Sequence, residues 1–160
     1  MAEGRGEADA RDPESAQVGF MRLMGLTLTR IDEQQVDAEL TVRPEHYQPM
    51  GIVHGGVYCA MVETVCSVAG YVHASKSGNF VVGVDNQTSF LKATRSGVLR
   101  ASARPLSIGR RTHLWEATIH DEQGKLVATG RVRLMAVEAG AQLGGAAAGL
   151  AATSEDKPAR

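Results

Sequence analysis

The sequence lacks an excess of charge of either sign. Its 160 residues include 17 Lys and Arg against 18 Asp and Glu, which gives a formal net charge of −1. A balance of this kind creates no overall field that would draw nucleic acid or an anionic membrane surface to the protein. We therefore expect neither class of partner, although local basic clusters are still possible.

Cysteine is also scarce. Only Cys59 and Cys66 are present, in a segment that we interpret as helical. At about 1.5 Å of rise per residue their Cα atoms lie about 10 Å apart, which is too far for a disulfide. We expect two small buried thiols rather than a redox or metal site, and a protein that works without a cofactor.

The N-terminus has no apolar run. Residues 1–16 carry scattered charges and lack the hydrophobic core of a secretory signal, which favours a cytoplasmic location. Residues 1–14 are expected to be disordered. The same is expected of residues 139–160, which are rich in Ala and Gly and then polar. One folded domain over residues 15–138 is left.

Hydrophobic periodicity predicts an α+β domain. Ser15 to Met24 has a short helical pattern, and a hairpin of Leu26–Ile31 with Val36–Val42 follows it. Four more strands follow the long helix described next: Phe80–Leu91, Val98–Leu106, Arg111–His120 and Leu126–Val137. Short turns separate these strands, so consecutive ones are expected to be mostly antiparallel neighbours.

The segment from His54 to about His73 is apolar nearly all round and predicts a buried helix. A membrane span is the alternative, but a span needs about 20 mostly apolar residues, and Glu63 interrupts this segment. A curved antiparallel sheet wrapped around one central helix is the simplest way to bury it.

Candidate chemistry clusters around the start of this helix. Gln48 precedes it, and the triplet His54-Gly55-Gly56 opens it. Glycines at a helix N-terminus allow a ligand to approach unpaired backbone N–H groups, where a carbonyl oxygen or an oxyanion would be stabilised. The same glycines could instead simply permit a tight turn.

Glu63 is the carboxylate of interest, because an ionised group in an apolar helix costs several kcal/mol unless it is paired or faces a cleft. No Lys or Arg lies within four residues of it. It could act as a general base or nucleophile, or it could meet a distant Arg at an interface. Ser67 shares its helix face and could position water or substrate, or bond a backbone carbonyl.

Gln48, His54-Gly55-Gly56, Glu63 and Ser67 together resemble the hotdog-fold thioesterases. The likeness is to the 4-hydroxybenzoyl-CoA and phenylacetyl-CoA thioesterase branches, and it extends over the strand order from about Gly25 to Val137. Many members have Asn and Asp where this chain has Gln48 and Glu63, so the chain is similar to the Gln and Glu version. The family's Ser or Thr on the strand after the helix is matched here by Gly83.

The resemblance implies hydrolysis of an acyl-CoA or aryl-CoA thioester. It implies that the Gly55 N–H polarises the carbonyl, that Gln48 positions substrate or water, and that Glu63 and Ser67 act from the neighbouring subunit of a homodimer or tetramer. His54 is expected to shape the loop and donate a hydrogen bond, with a role as the base kept as an alternative. Gly56 and Asn86 are further candidates for substrate binding.

Coenzyme A carries phosphates, so basic residues are expected near the pocket mouth. The candidates are Lys92 and Arg95 in one turn and Arg110 and Arg111 in another, unless these are ordinary solvated charges. Two other functions are open: an acyl-CoA-binding protein without catalysis, and a hotdog hydratase or dehydratase. Glu63 disfavours the first, and the absence of the usual His and acid signature disfavours the second.

Overall fold

The computed structural model describes residues 19–147, in which a six-stranded antiparallel sheet covers one long helix. In chain order, the elements are α1 (Gly19–Met24), β1 (Leu26–Ile31), β2 (Val36–Thr41), a 3₁₀ turn (Pro44–His46), α2 (Gly55–Ser75), β3 (Asn79–Phe90), β4 (Val98–Ile108), β5 (Thr112–His120), β6 (Leu126–Glu138), β7 (Gln142–Leu143) and β8 (Ala146–Ala147). The predicted hairpin, long helix and four further strands are therefore all present, with ends that differ by one or two residues.

The strand order in the sheet is β1-β2-β4-β5-β6-β3, and every pairing is antiparallel. Neighbours along the chain pair in the β1–β2, β4–β5 and β5–β6 hairpins, as predicted. The expectation is wrong for β3, which lies at the far edge beside β6 and contacts neither β2 nor β4 as a ladder partner. Helix α2 carries the chain from β2 across the sheet to that edge, and residues 91–97 bring it back to β4 beside β2.

Helix α2 packs against all six strands. Its buried side is formed by Tyr58, Met61, Val62, Val65, Cys66, Ala69, Gly70, Val72 and Ala74. The helix is long and apolar enough to cross a membrane by length and composition alone, a test that the core helix of a soluble protein also passes. Because the sheet covers it, we interpret α2 as the core helix.

Close packing under the helix depends on Gly70. A Cβ at this position would collide with the side chain of Leu134 on β6 and would lie 3.4 Å from the indole nitrogen of Trp115. Trp115 and Leu134 are both fully buried. Helix and sheet therefore approach each other at a distance that only glycine allows at this point.

The two chain ends differ in part from expectation. Of the predicted helix Ser15 to Met24, the structure describes residues 19–24, which are helical. In residues 139–147, part of the segment predicted to be disordered, β7 and β8 form a small hairpin. Its turn uses Gly144 and Gly145, both with positive φ, which explains how an Ala- and Gly-rich segment can reverse direction. Residues 1–18 and 148–160 lie outside the described residues.

We expect Gly70→Ala to destabilise the protein by about 1–3 kcal/mol, because the added methyl group overpacks the contact with Leu134. Urea unfolding followed by circular dichroism measures the change. Helix propensity alone predicts the opposite sign, since Ala is favoured over Gly within a helix. A variant that is as stable as the wild type, or more so, would contradict this account of the packing.

Candidate active site

His54 caps the start of α2. Its ring Nδ1 accepts a hydrogen bond from the backbone N–H of Gly56 at 2.9 Å, and its own backbone N–H donates to the His46 carbonyl at 2.8 Å. Because Nδ1 is an acceptor, the proton of the neutral ring is on Nε2. The His54 side chain therefore accepts a hydrogen bond at the helix start, whereas the sequence-based expectation was that it would donate one.

The cap separates the roles of the two glycines. The Gly56 N–H is already bonded to His54, which argues against its predicted use in binding substrate. Within the described residues, no partner is found for the Gly55 N–H, which lies at the positive end of the helix dipole. Neither glycine has a positive φ. A Cβ on Gly55 would instead meet the ring of Phe90 at 2.7 Å, so close packing requires this glycine.

Gln48 lies in the loop before the helix, with its side chain turned back on that loop. Its Oε1 accepts from the Met50 N–H at 2.6 Å. Arg95 holds the same loop from outside, because its Nη1 donates to the carbonyls of Met50 and Gly51 at 3.2 and 3.0 Å. At this nitrogen Arg95 braces the loop, and its predicted contact with a phosphate stays a prediction.

A cavity of about 510 Å³ brings several predicted residues together. It is lined by Gln48, Ile52, Val53, His54, Gly55, Gly56, Tyr58, Phe90, Leu91, Lys92 and Ala93. The Tyr58 and Phe90 rings contact each other in its wall, with centroids 5.9 Å apart. Burial raises the pKa of the Tyr58 phenol, and nearby Thr94 partly offsets this. The cavity is thus mainly apolar, with Lys92 as its cationic group.

Glu63 lies two helical turns farther on and outside that lining. The Ser67 hydroxyl donates to its Oε1 at 3.2 Å, and the Asn86 amide donates to its Oε2 at 2.9 Å. No ion pair to Glu63 is found within residues 19–147, so no arginine of the described part of the same subunit neutralises it. Its carboxylate is half-buried and held by neutral donors.

The Glu63 carboxylate affects two neighbouring residues, Gly83 and Cys66. A Cβ on Gly83 of β3 would lie 2.7 Å from Glu63 Oε1, so the carboxylate occupies the space where a side chain on the strand would begin. Burial raises the pKa of the Cys66 thiol, and the negative charges of Glu63 and then Glu116 raise it further. Cys66 therefore stays protonated and is not a nucleophile. Cys59 and Cys66 are both outside any disulfide, as predicted, but Cys59 is half-buried rather than buried.

The remaining basic candidates are divided between two places. Lys92 lines the cavity beside Gln48 and His54. Arg110 and Arg111 instead line a second hollow of about 640 Å³ with Asn79, at the opposite end of β3. At about 3.3 Å per residue, the 12 residues of β3 separate these ends by more than 30 Å. Within one subunit, the two predicted basic pairs do not share a pocket mouth.

Sequence reasoning missed Thr88 and did not anticipate the contacts of Asn86. The Thr88 hydroxyl donates to Asn86 Oδ1 at 2.6 Å, and the Asn86 amide donates to the Cys59 carbonyl as well as to Glu63. Asn86 was expected to bind substrate, yet its contacts are with the helix. Gly83 was the available signal, because a glycine inside a strand often marks a bulge or a close approach.

Several known proteins are similar to this chain in sequence and in fold. The family model described as Thioesterase superfamily matches residues 50–128. The protein named "Putative esterase Rv1847" of Mycobacterium tuberculosis (strain H37Rv) is 41% identical over 133 residues, which are 82% of this chain and 95% of that protein. The solved structure of this esterase has a TM-score of 0.74 and 43% identity, and the match covers 75% of this chain and 97% of that one.

Two further relatives are named as thioesterases. Proofreading thioesterase EntH of Cronobacter sakazakii is 36% identical over 109 residues, or 68% of this chain and 79% of that protein. The solved structure of thioesterase HI1161 of Haemophilus influenzae has a TM-score of 0.74 and 30% identity, covering 79% of this chain and 87% of that one. Fold and relatives define a hotdog-fold thioesterase. The chain belongs to the thioesterase superfamily.

We expect His54→Ala to lower the free energy of unfolding by about 1 kcal/mol, because the Gly56 N–H loses its capping acceptor. His54→Asn places a shorter acceptor at the same N-cap position and serves as the matched control. Chemical denaturation of the two variants beside the wild type measures the difference. Equal stability of the Ala and Asn variants would show that the cap bond contributes nothing.

Proposed function

We propose that this thioesterase hydrolyses an acyl-CoA or aryl-CoA thioester, with Glu63 as general base or nucleophile. The observation that carries the proposal is the state of its carboxylate: it is half-buried in an apolar helix and held by Ser67 and Asn86, with no cation beside it in the described residues. Such a group costs free energy to bury, and placement beside a ligand is the common reason to retain it.

The chemistry follows from one carboxylate and one backbone donor. As a general base, Glu63 takes a proton from water, and the water oxygen attacks the thioester carbonyl carbon. The Gly55 N–H and the helix dipole stabilise the negative charge that develops on the carbonyl oxygen. The C–S bond then breaks, and the departing sulfur takes the proton from Glu63, which yields the acid and the free thiol.

As a nucleophile, a Glu63 oxygen would attack the carbonyl carbon directly. The thiolate would leave, and the resulting mixed anhydride would be hydrolysed by water, which regenerates the carboxylate. Both routes use the same residues, and neither requires a metal or redox cofactor. Gln48, in the loop beside Gly55, would position the substrate or the water.

The distances favour a site shared by two subunits. Gly55 and Glu63 are eight residues apart on one helix, or about 12 Å, which is too far for both to contact one thioester group. Strand β3 ends the sheet, and its outer edge has no strand partner among the described residues. Two β3 edges paired antiparallel about a two-fold axis would bring the helix start of one subunit towards Glu63 of the other.

The same pairing would bring basic residues of the two subunits close together. In an antiparallel β3 pair, the Asn79 end of one strand lies beside the Phe90 end of the other. Arg110 and Arg111, which lie near Asn79, would then approach Lys92 of the second subunit. A combined basic rim suits the phosphates of coenzyme A. A tetramer of two such dimers and a cytoplasmic location stay predictions from the sequence.

We expect Glu63→Gln and Glu63→Ala to lower kcat by at least about 100-fold on any thioester that the wild type hydrolyses. A panel of aryl-CoA and short- to long-chain acyl-CoA thioesters, followed by thiol release, measures the loss and identifies the acyl class. Single turnover in ¹⁸O-labelled water identifies the nucleophilic route if label enters Glu63, because water then attacks the anhydride at the Glu63 carbonyl carbon, whereas a general base acquires no label.

The control for folding is the oligomeric state and circular dichroism spectrum of each Glu63 variant beside the wild type. Full activity in a folded Glu63→Gln variant would remove the carboxylate from the mechanism. A wild type that binds these thioesters without hydrolysing any of them would favour an acyl-CoA-binding role.

We expect activity to return when two inactive variants share a dimer. Gln48→Ala damages the half-site at the helix start and Glu63→Gln damages the other half, so a mixed dimer has one intact site and one doubly altered site. Random mixing of equal amounts should restore about a quarter of the wild-type rate. Co-refolding of the two variants followed by thiol release measures this recovery, and no recovery despite confirmed mixed dimers would contradict a shared site.

A further inference from the structure

The register of β3 changes beside Glu63. Gly83 pairs with Leu134 on β6, but the next paired residue is Asp85, which lies opposite Arg133. Val84 is therefore an extra residue, and the strand has a bulge at this point. Side chains of a regular strand alternate between its two faces, so an extra residue reverses the alternation beyond it.

The reversal decides which side chains face the helix. Before the bulge Gly83 lies against Glu63, and after it Asn86, Thr88 and Phe90 point to the same side, as their contacts with Glu63, Asn86 and Tyr58 show. Asp85 is turned away from the helix, and its Oδ2 lies 3.5 Å from Arg133 Nη1. Without the bulge, Asp85 would share the face of Gly83 and would place a second negative charge against Glu63.

The amide nitrogen of Asn86 is fully used by the helix. It donates to Glu63 Oε2 at 2.9 Å and to the Cys59 carbonyl at 3.1 Å. An amide nitrogen has only two N–H groups, so none is left for a substrate. The reversed amide would place its oxygen against both acceptors, which excludes that orientation.

Thr88 fixes the orientation of the Asn86 amide through its oxygen. Its hydroxyl donates to Asn86 Oδ1 at 2.6 Å. The residue paired with Thr88 on β6 is Gly130, where a Cβ would lie 2.9 Å from the Thr88 hydroxyl oxygen. Glycine at this position therefore leaves the space in which the hydroxyl sits.

We propose that Asn86 and Thr88 are positioning residues that hold the Glu63 carboxylate in its reactive orientation, with the bulge at Val84 as the device that aims them. This rests on the proposed role of Glu63. Ser67 bonds one carboxylate oxygen and Asn86 the other, so rotation of the group is restrained at both ends. Each oxygen keeps a lone pair for the reaction, because a carboxylate accepts about four hydrogen bonds.

The test compares two substitutions of Thr88. Thr88→Val removes the hydroxyl and keeps the shape, whereas Thr88→Ser keeps the hydroxyl. We expect Thr88→Val to lower kcat about tenfold with KM changed less than about twofold, and Thr88→Ser to stay near the wild type. Asn86→Ala should lower kcat by at least as much. Ser89→Ala, on the opposite face of β3, is the control for the strand itself.

A double-mutant cycle separates positioning from general damage to the strand. If Thr88 acts only through Asn86, Thr88→Val should cause no further loss when combined with Asn86→Ala. Additive losses would overturn the proposal, and so would an unchanged kcat in Asn86→Ala. A rise in KM alone would return Asn86 to substrate binding, which also overturns it. Thermal unfolding confirms that each variant is folded.

The outcome for Glu63 is read from the same assays. If Glu63→Gln keeps the wild-type rate, the proposed function fails, whatever Asn86 and Thr88 do. If Glu63→Gln is inactive while Thr88→Val and Asn86→Ala keep the wild-type kcat, the proposed function stands and the positioning role fails. The two failures are therefore distinguishable.

Discussion

Helix α2 has apolar side chains around most of its circumference, and no single neighbouring element can remove all of them from water. The sheet meets this constraint by covering the helix with all six strands. The buried side chains of the helix include Val62, Val65 and Ala69, and Gly70 allows the helix to contact β6 closely. At about 25 cal/mol per Å² of apolar surface removed from water, this burial is a large favourable contribution to folding. The sheet is therefore built around the helix.

The same arrangement explains where a charge can be tolerated. The helix side that carries Glu63 and Ser67 lies against β3, the last strand of the sheet. Trp115 of β5, by contrast, lies in the fully buried interior. Residues of β3 are half-buried or exposed along its whole length. A carboxylate there keeps partial access to solvent or to a second subunit, while Met61, Val62 and Val65 of the same helix are fully buried. The candidate site is thus placed where the core ends.

Much of this could be predicted from the sequence. The period of the apolar residues identified the helix, the hairpin and the four further strands, and the charge within the helix identified Glu63. The edge position of β3 could not be predicted from short turns, because it depends on how the helix crosses the sheet. The contacts of Asn86 with the helix could not be predicted, because the bulge at Val84 changes which strand side chains face the helix. Similarly, Arg110 and Lys92 looked alike as turn residues, although β3 separates them.

Occupation of the Gly56 N–H by His54 was also beyond prediction, since it depends on one ring rotation at the helix start. Local contacts of this kind are decided by side-chain torsion angles rather than by residue type or spacing. Residue types predicted which groups gather near the helix start. They did not predict which donors remain free.

The contact between Glu63 and Gly83 has a consequence for how this site can vary. The glutamate side chain fills the volume that a Cβ on the strand would need, with only 2.7 Å available. Aspartate is shorter by one methylene group and would vacate part of that volume, leaving room for Ser or Thr on the strand. Two combinations therefore fill this space: glutamate on the helix with glycine on the strand, and aspartate on the helix with serine or threonine on the strand. We expect the two positions to change together in descent, because either single exchange leaves a collision or a void.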